Sequence, residues 1–328
     1  MPEIAVTPVE DKAFGAIVRD VKLPSITEDE FAEIHAAFLK YGFLVFPDQH
    51  LTEEENIAFG KRFGKLEFGA YPIANQQKNE DGSFGKIIDL QSQSMRTNVG
   101  NETWHTDSTY MPASSKCAML SAVTVPDEGG ETELADARAA YAALDSELKA
   151  RIDGLSAYHS TQYSQANDIG DFPQTRDETI YHGEAYLRPL VKTHPETGIK
   201  NLLVGRHAFG IPGLKRQESR SLLIQLNEFI VANERSVYTH KWQVGDTLLW
   251  DNRALLHRAR PYDYTQPRVM IATRIAGDPE SELAYYPEDS QAQAGRDALN
   301  AELTELHKEA AGKMYEGSTR TAKSKSAQ

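Results

Sequence analysis

Two segments about 150 residues apart, Trp104-His-Thr-Asp107 and Trp250-Asp-Asn-Arg-Ala-Leu-Leu-His257, carry side chains that become useful only if the chain brings them together. His105 and Asp107 are separated by one residue. On an extended segment the side chains at i and i+2 share a face, so an imidazole and a carboxylate there can grip one ion without contorting the backbone. A second imidazole, from His257, completes a set that covers one face of a metal and leaves the other open. The need for these segments to converge is the strongest constraint the sequence sets.

Local signals describe what lies between. Thr27-Glu-Asp-Glu30 is a capping box opening a helix with an apolar stripe through Phe31, Ile34, Phe38 and Leu39, ended by Gly42. Phe43-Leu-Val-Phe46 reads as a buried strand stopped by Pro47, and a second box, Thr52-Glu-Glu-Glu55, opens a short helix closing near Gly64. Further strands are expected at 118–125, 247–250 and 268–276, with helices at 136–153 and 218–233. Residues 69–103 are polar around one strand-like run at 86–90; so long a polar segment inside a compact domain predicts a functional lid. Residues 159–185 are polar and punctuated by glycine, and the stretch 312–328 is expected to be a disordered polar tail. The chain shows no repeat and no βαβ alternation. Short strands separated by turns predict a mainly β sandwich or barrel with helical insertions, forming one domain over residues 1–311.

Composition excludes several classes. With 35 basic and 48 acidic residues the net charge is −13, which argues against nucleic acid or an anionic membrane as partners. The N-terminus lacks a signal-peptide pattern, no apolar run reaches the ~20 residues of a membrane span, and Cys117 is the sole cysteine. Its expected state is a small buried apolar residue. A cytoplasmic protein is expected, self-associating as a homo-oligomer.

A lone His-x-acid triplet is weak evidence, since this composition produces about one or two by chance. His182-Gly-Glu184 and His194-Pro-Glu196 also qualify. His194 opens a turn sequence, His194-Pro-Glu-Thr-Gly198, and reads as a surface turn; His182 lies in a polar segment. His105 is favoured by Trp104 and Tyr110, whose bulk can fix ring orientation. His257 taken alone reads as a structural histidine. The residues beyond it change that reading: Arg253, Arg258, Arg260, Arg268 and Arg274 cluster in an otherwise acidic chain. The first three read as surface ion pairs. Arg268 and Arg274 are an even number apart and share a strand face, and arginine grips carboxylates in two-point fashion.

In order and spacing these motifs resemble the taurine / 2,4-dichlorophenoxyacetate dioxygenase family of Fe(II)- and 2-oxoglutarate-dependent enzymes. The resemblance spans roughly residues 4–280 and rests on Phe43-Leu-Val-Phe-Pro, Phe63-Gly-Lys-Leu, Trp104-His-Thr-Asp-Ser-Thr-Tyr, Gly129-Gly-Glu-Thr132, Trp250-Asp-Asn-Arg and Pro267-Arg-Val-Met. Within the family, Asp107-Ser-Thr-Tyr-Met-Pro112, Gly205-Arg-His-Ala and Ile211-Pro-Gly look most like the enzymes that cleave (S)-2-phenoxypropionates. The resemblance implies a double-stranded β-helix, or jelly roll. It implies Fe(II) on His105, Asp107 and His257, with the distal carboxylate of 2-oxoglutarate on Arg268 and Thr132, and O2 as oxidant.

Two departures matter. Taurine-specific members carry a histidine where Phe68 aligns and an arginine where Ala272 stands, so a sulfonate grip is missing. Tyr71 and Asn101 remain at positions the family uses around its substrate, and Arg96 or Arg274 is expected to anchor an anionic one. The expected reaction is hydroxylation of a small carboxylate, with ether cleavage if that carboxylate is a 2-aryloxyalkanoate. The alternatives are hydroxylation of another hydrophobic acid, a non-catalytic jelly-roll binding protein, or a metal hydrolase sharing the ligands.

Overall fold

The computed structural model describes the backbone over residues 4–285 and 288–325, and side chains over 4–285 and 293–312. Its centre is a seven-stranded sheet ordered Ala5–Pro8, Ala16–Arg19, Phe43–Phe46, Thr247–Asp251, Cys117–Thr124, Val269–Ile275 and Tyr71–Ala74. Every neighbouring pair is antiparallel except Ala16–Arg19 against Phe43–Phe46. An antiparallel three-stranded sheet, Val237–His240, Thr132–Asp136 and Leu255–Ala259, faces it.

The strands are apolar on both faces, and each face has its own partner. Phe43, Val45, Ala118, Leu120, Leu248, Trp250 and Met270 pack between the sheets against Leu134 and Leu255. The alternate residues Leu44, Phe46, Met119, Leu249 and Ile275 pack on helices Glu28–Tyr41 and Glu53–Phe63. Burial on both sides is why these strands read as continuous apolar runs. The outer face of the small sheet, through Ala135 and Leu256, is covered by helices Ala137–Ala143 and Arg216–Val231. Facing antiparallel sheets with helices outside form a jelly roll. Both capping boxes are made, with Thr27 and Thr52 accepting from the backbone N–H of Glu30 and Glu55. Among the described residues no helix is long and apolar enough to cross a membrane.

Several expectations differ from what is observed. The helix at 136–153 is two, Ala137–Ala143 and Ser146–Ile152, because the Asp145 side chain caps the N–H of Leu148 and starts a new helix. The polar stretch 159–185 contains a helix, Thr161–Ile169, whose Thr161, Gln162, Ser164 and Gln165 are all buried, so it lacks the apolar stripe that marks a helix. The lid stretch holds the edge strand Tyr71–Ala74, the hairpin Gln76–Lys78/Phe84–Ile87 and a helix, Gln93–Gly100. The stretch expected to be a disordered tail from 312 continues the helix Glu288–Lys325, as its Ala, Lys and Glu content permits, and 326–328 lie outside the described residues.

Arg253 and His194 are not at the surface. Arg253 is buried and forks onto Asp251 through Nε (2.9 Å) and Nη2 (2.7 Å). His194 does open the expected turn, but its Nε2 reaches Asp251 (3.0 Å) while Nδ1 accepts from the N–H groups of Glu196 and Thr197. Asp251 draws both inward. Arg258 and Arg260 do pair with Glu133 near the surface, and Cys117 is buried.

His159 is fully buried, and among the described residues neither ring nitrogen has a hydrogen-bond partner. Burial lowers its pKa from 6.5 to about 3. Below pH 6.5 the unfolded chain takes up a proton that the folded chain refuses, so stability falls as pH drops through that window. The slope from this one group is at most ~1.4 kcal/mol per pH unit. The His159→Leu variant should therefore show a flatter dependence of melting temperature on pH between 6 and 4. Parallel curves for the two proteins would refute this.

Candidate active site

The convergence demanded by the sequence is achieved by the main chain. His105 N–H donates to the His257 carbonyl (2.9 Å) and His257 N–H to the His105 carbonyl (2.8 Å), an antiparallel bridge. It sets the two rings 4.2 Å apart between centroids. Asp107 follows on the same face, with Oδ2 3.6 Å from Nε2 of His257. One donor atom from each of the three lies within 4.8 Å of the others, and all three residues are buried.

Their protonation suits a cation. The Nδ1 of His105 lies 2.8 Å from the Thr103 carbonyl, which can only accept, so Nδ1 carries the proton and Nε2 presents its lone pair. Burial, then the neighbouring His257, hold the His105 pKa well below its ordinary value, and burial lowers His257 too. Burial alone would raise Asp107, but Arg274, then His257 and His105, outweigh it and keep the carboxylate ionised. Nδ1 of His257 is buried and unpartnered among the described residues, and its ring lies 4.7 Å from that of Trp250 between centroids. Two neutral imidazoles and one carboxylate, buried along one cavity wall, fit a divalent transition metal such as Fe(II).

The same cavity runs on to Thr132 and Arg268. Arg268 is 5% exposed, with its backbone N–H held by Oδ1 of Asn75 (2.8 Å). Among the described residues its Nε and Nη2 donate to the Gly130 carbonyl alone (3.2 and 3.0 Å), and its guanidinium carbon lies 5.7 Å from the Tyr262 ring centre. Gly130 has φ of 70°, and a Cβ there would press within 3.0 Å of Arg268 Nε, so only glycine permits this approach. Burial lowers the Arg268 pKa, and among the described residues no carboxylate pairs with it. The Thr132 hydroxyl accepts from Trp242 Nε1 (3.1 Å), leaving its own proton to donate.

Around the mouth, Tyr71, Asn101 and Arg274 line the cavity. Arg274 donates to Asp107 Oδ1 (2.8 Å) and Ser108 Oγ (3.2 Å), and the Asn101 carbonyl is bound to the N–H of Ala259 (2.8 Å). Arg96, on the helix Gln93–Gly100, pairs instead with Asp171 (3.0 Å) and is not on the cavity wall. Neither other His-x-acid pair joins the site, since His182 Nε2 meets the Tyr110 carbonyl. Two supports went unread in the sequence. Asn252 bonds Trp250 and Ser115 beside Asp107, and was signalled only as part of Trp250-Asp-Asn-Arg. Glu67 accepts from Ser108 and carries no local signal at all.

Comparison with known proteins agrees with this geometry. The family described as taurine catabolism dioxygenase TauD, TfdA family, matches residues 5–274. The (S)-phenoxypropionate/alpha-ketoglutarate-dioxygenase of Sphingobium herbicidovorans is 49% identical over 86% of this chain and 98% of its own. The alpha-ketoglutarate-dependent 2,4-dichlorophenoxyacetate dioxygenase of Cupriavidus pinatubonensis is 36% identical over 78% and 92%. The crystal structure of AAD-2 in complex with Mn(II) and N-oxalylglycine superposes with a TM-score of 0.79 at 37% identity, covering 87% of this chain and all of that one. The chain belongs to the TauD/TfdA family and is an Fe(II)- and 2-oxoglutarate-dependent dioxygenase.

Proposed function

We propose that the enzyme hydroxylates a 2-aryloxyalkanoate at the carbon bearing the ether oxygen. In this reading His105, Asp107 and His257 hold Fe(II), while Arg268 and Thr132 hold the distal carboxylate of 2-oxoglutarate. The observation that carries it is Arg268, a buried cation with no carboxylate partner among the described residues, in the same cavity as the triad. An uncompensated buried charge is costly, and a dicarboxylate reaching the metal with its keto-acid end offsets that cost. Bound iron supplies oxygen activation, coupled to conversion of 2-oxoglutarate to succinate and CO2. Thr132 donates its hydroxyl proton to the same carboxylate. The hydroxylated substrate is a hemiketal whose collapse breaks the ether C–O bond, giving a phenol and, from a 2-aryloxypropionate, pyruvate.

Relatives that act on phenoxypropionate and 2,4-dichlorophenoxyacetate support the substrate class. So do Phe68 and Ala272, which leave Arg274 as the cation on the Val269–Ile275 strand beside the metal ligands. A guanidinium has five donors, and Arg274 keeps some free for a substrate carboxylate. Arg96 is the weaker anchor, being tied to Asp171. Tyr71 and Asn101 form the wall against the aryl group, and of residues 69–103 the part that follows the central-sheet strand Tyr71–Ala74 forms the lid. The net charge of −13 and lone cysteine support a cytoplasmic setting without nucleic-acid or membrane partners.

A screen of phenoxypropionate enantiomers, phenoxyacetates and taurine for coupled succinate release tests the reading. Phenol in step with succinate is expected for the aryloxy acids, and succinate from taurine without phenol from any of them would overturn it. Arg274→Ala should raise the aryloxy-acid KM by roughly tenfold or more, and Arg96→Ala much less.

A further inference from the structure

We infer that Glu67 is a positioning residue which, through Ser108 and Arg274, restricts Asp107 to a single ligating oxygen. The inference rests on the metal site proposed above. Ser108 follows Asp107 directly and has φ of 57°, a left-handed turn uncommon for a non-glycine residue. Glu67 grips this turn from the other side of the ligand. Its carboxylate accepts the Ser108 hydroxyl proton (2.7 and 2.9 Å to the two oxygens), and its backbone N–H donates to the Arg274 carbonyl (2.9 Å). One residue thus ties the turn behind Asp107 to the strand bearing Arg274.

The strap closes at the ligand. Arg274 Nη1 donates to Ser108 Oγ (3.2 Å) and Nη2 to Asp107 Oδ1 (2.8 Å). Oδ1 is taken at 2.8 Å, whereas Oδ2 meets only the longer contact from Asn252 Nδ2 (3.5 Å) and is the oxygen facing His257 Nε2 (3.6 Å). A carboxylate can bind a metal through one oxygen or two, and a second oxygen from Asp107 would fill a position that cosubstrate or O2 requires. Without the Ser108 hydroxyl held by Glu67, the Arg274 guanidinium is free to fork across both Asp107 oxygens, as arginine does with carboxylates, and to compete with the metal.

Anaerobic titration of the metal-free protein with Co(II), followed by its visible absorption, tests the strap without turnover. Wild-type protein should bind one equivalent. Glu67→Ala should weaken Co(II) roughly tenfold or more and alter the visible band, in the range seen when groups that orient metal ligands are removed. Ser108→Ala, which cuts the same strap without deleting a charge, should move both in the same direction. Glu67→Gln, still an acceptor for the Ser108 hydroxyl, should stay near wild type. If Glu67→Ala and Ser108→Ala match wild type in affinity and spectrum, the inference falls while the metal site stands. If wild type itself binds no Co(II), both fall.

Discussion

His257→Ala should lower 2-oxoglutarate turnover by at least roughly 1,000-fold, or ~4 kcal/mol. One of three donors is lost, and the remaining imidazole and carboxylate leave a metal loosely held. The backbone bridge between residues 105 and 257 is made by main-chain atoms, so the variant keeps the pairing that builds the site. Activity should fall with little loss of melting temperature. The decisive measurement is anaerobic: wild type with Fe(II) and 2-oxoglutarate should develop a visible charge-transfer band, and His257→Ala should not. A variant that retains the band, or a tenth of the turnover, would remove His257 from the ligand set.

Arg268→Ala should act at the other end of the cavity. Deleting the charge that meets the distal carboxylate should raise the KM for 2-oxoglutarate about a hundredfold, close to 3 kcal/mol. Arg268→Lys should recover only part, because an ammonium supplies a point charge and no planar fork. The metal-free Arg268→Ala protein should be at least as stable as wild type, since among the described residues the guanidinium has the Gly130 carbonyl and the face of Tyr262 but no carboxylate at ion-pair distance. An unchanged KM would sink the assignment of the cosubstrate carboxylate to Arg268.

The core strands were legible because burial on both faces writes itself as a continuous apolar run, as at Phe43–Phe46 and Thr247–Asp251. The cluster of His105, Asp107 and His257 was legible because His105 and Asp107 lie two residues apart and His257 follows an apolar strand. The even spacing of Arg268 and Arg274 also translated directly, since both line one cavity. What stayed hidden were contacts between distant segments. Nothing near His194 announces that Asp251, 57 residues on, will pull it inside. Arg253 looks like any surface arginine until that same carboxylate is seen beneath it. The helix Thr161–Ile169 buries polar residues against other polar residues, and periodicity cannot find such a face. The resemblance offers Arg96 or Arg274 as the substrate anchor without choosing between them, and it is the contact of Arg96 with Asp171, 75 residues on, that no local pattern announces.

The bridge between residues 105 and 257 also sets the order in which this enzyme can mature. A binding cradle split across half the polypeptide is complete only when residues 105 and 257 are paired, next to the strand pairing of Leu255–Ala259 with Thr132–Asp136. Iron capture is thereby tied to completed assembly, and a chain that stalls on the way has no means of reducing dioxygen at this centre. Once seated, the ion stabilises only the finished state, by mass action.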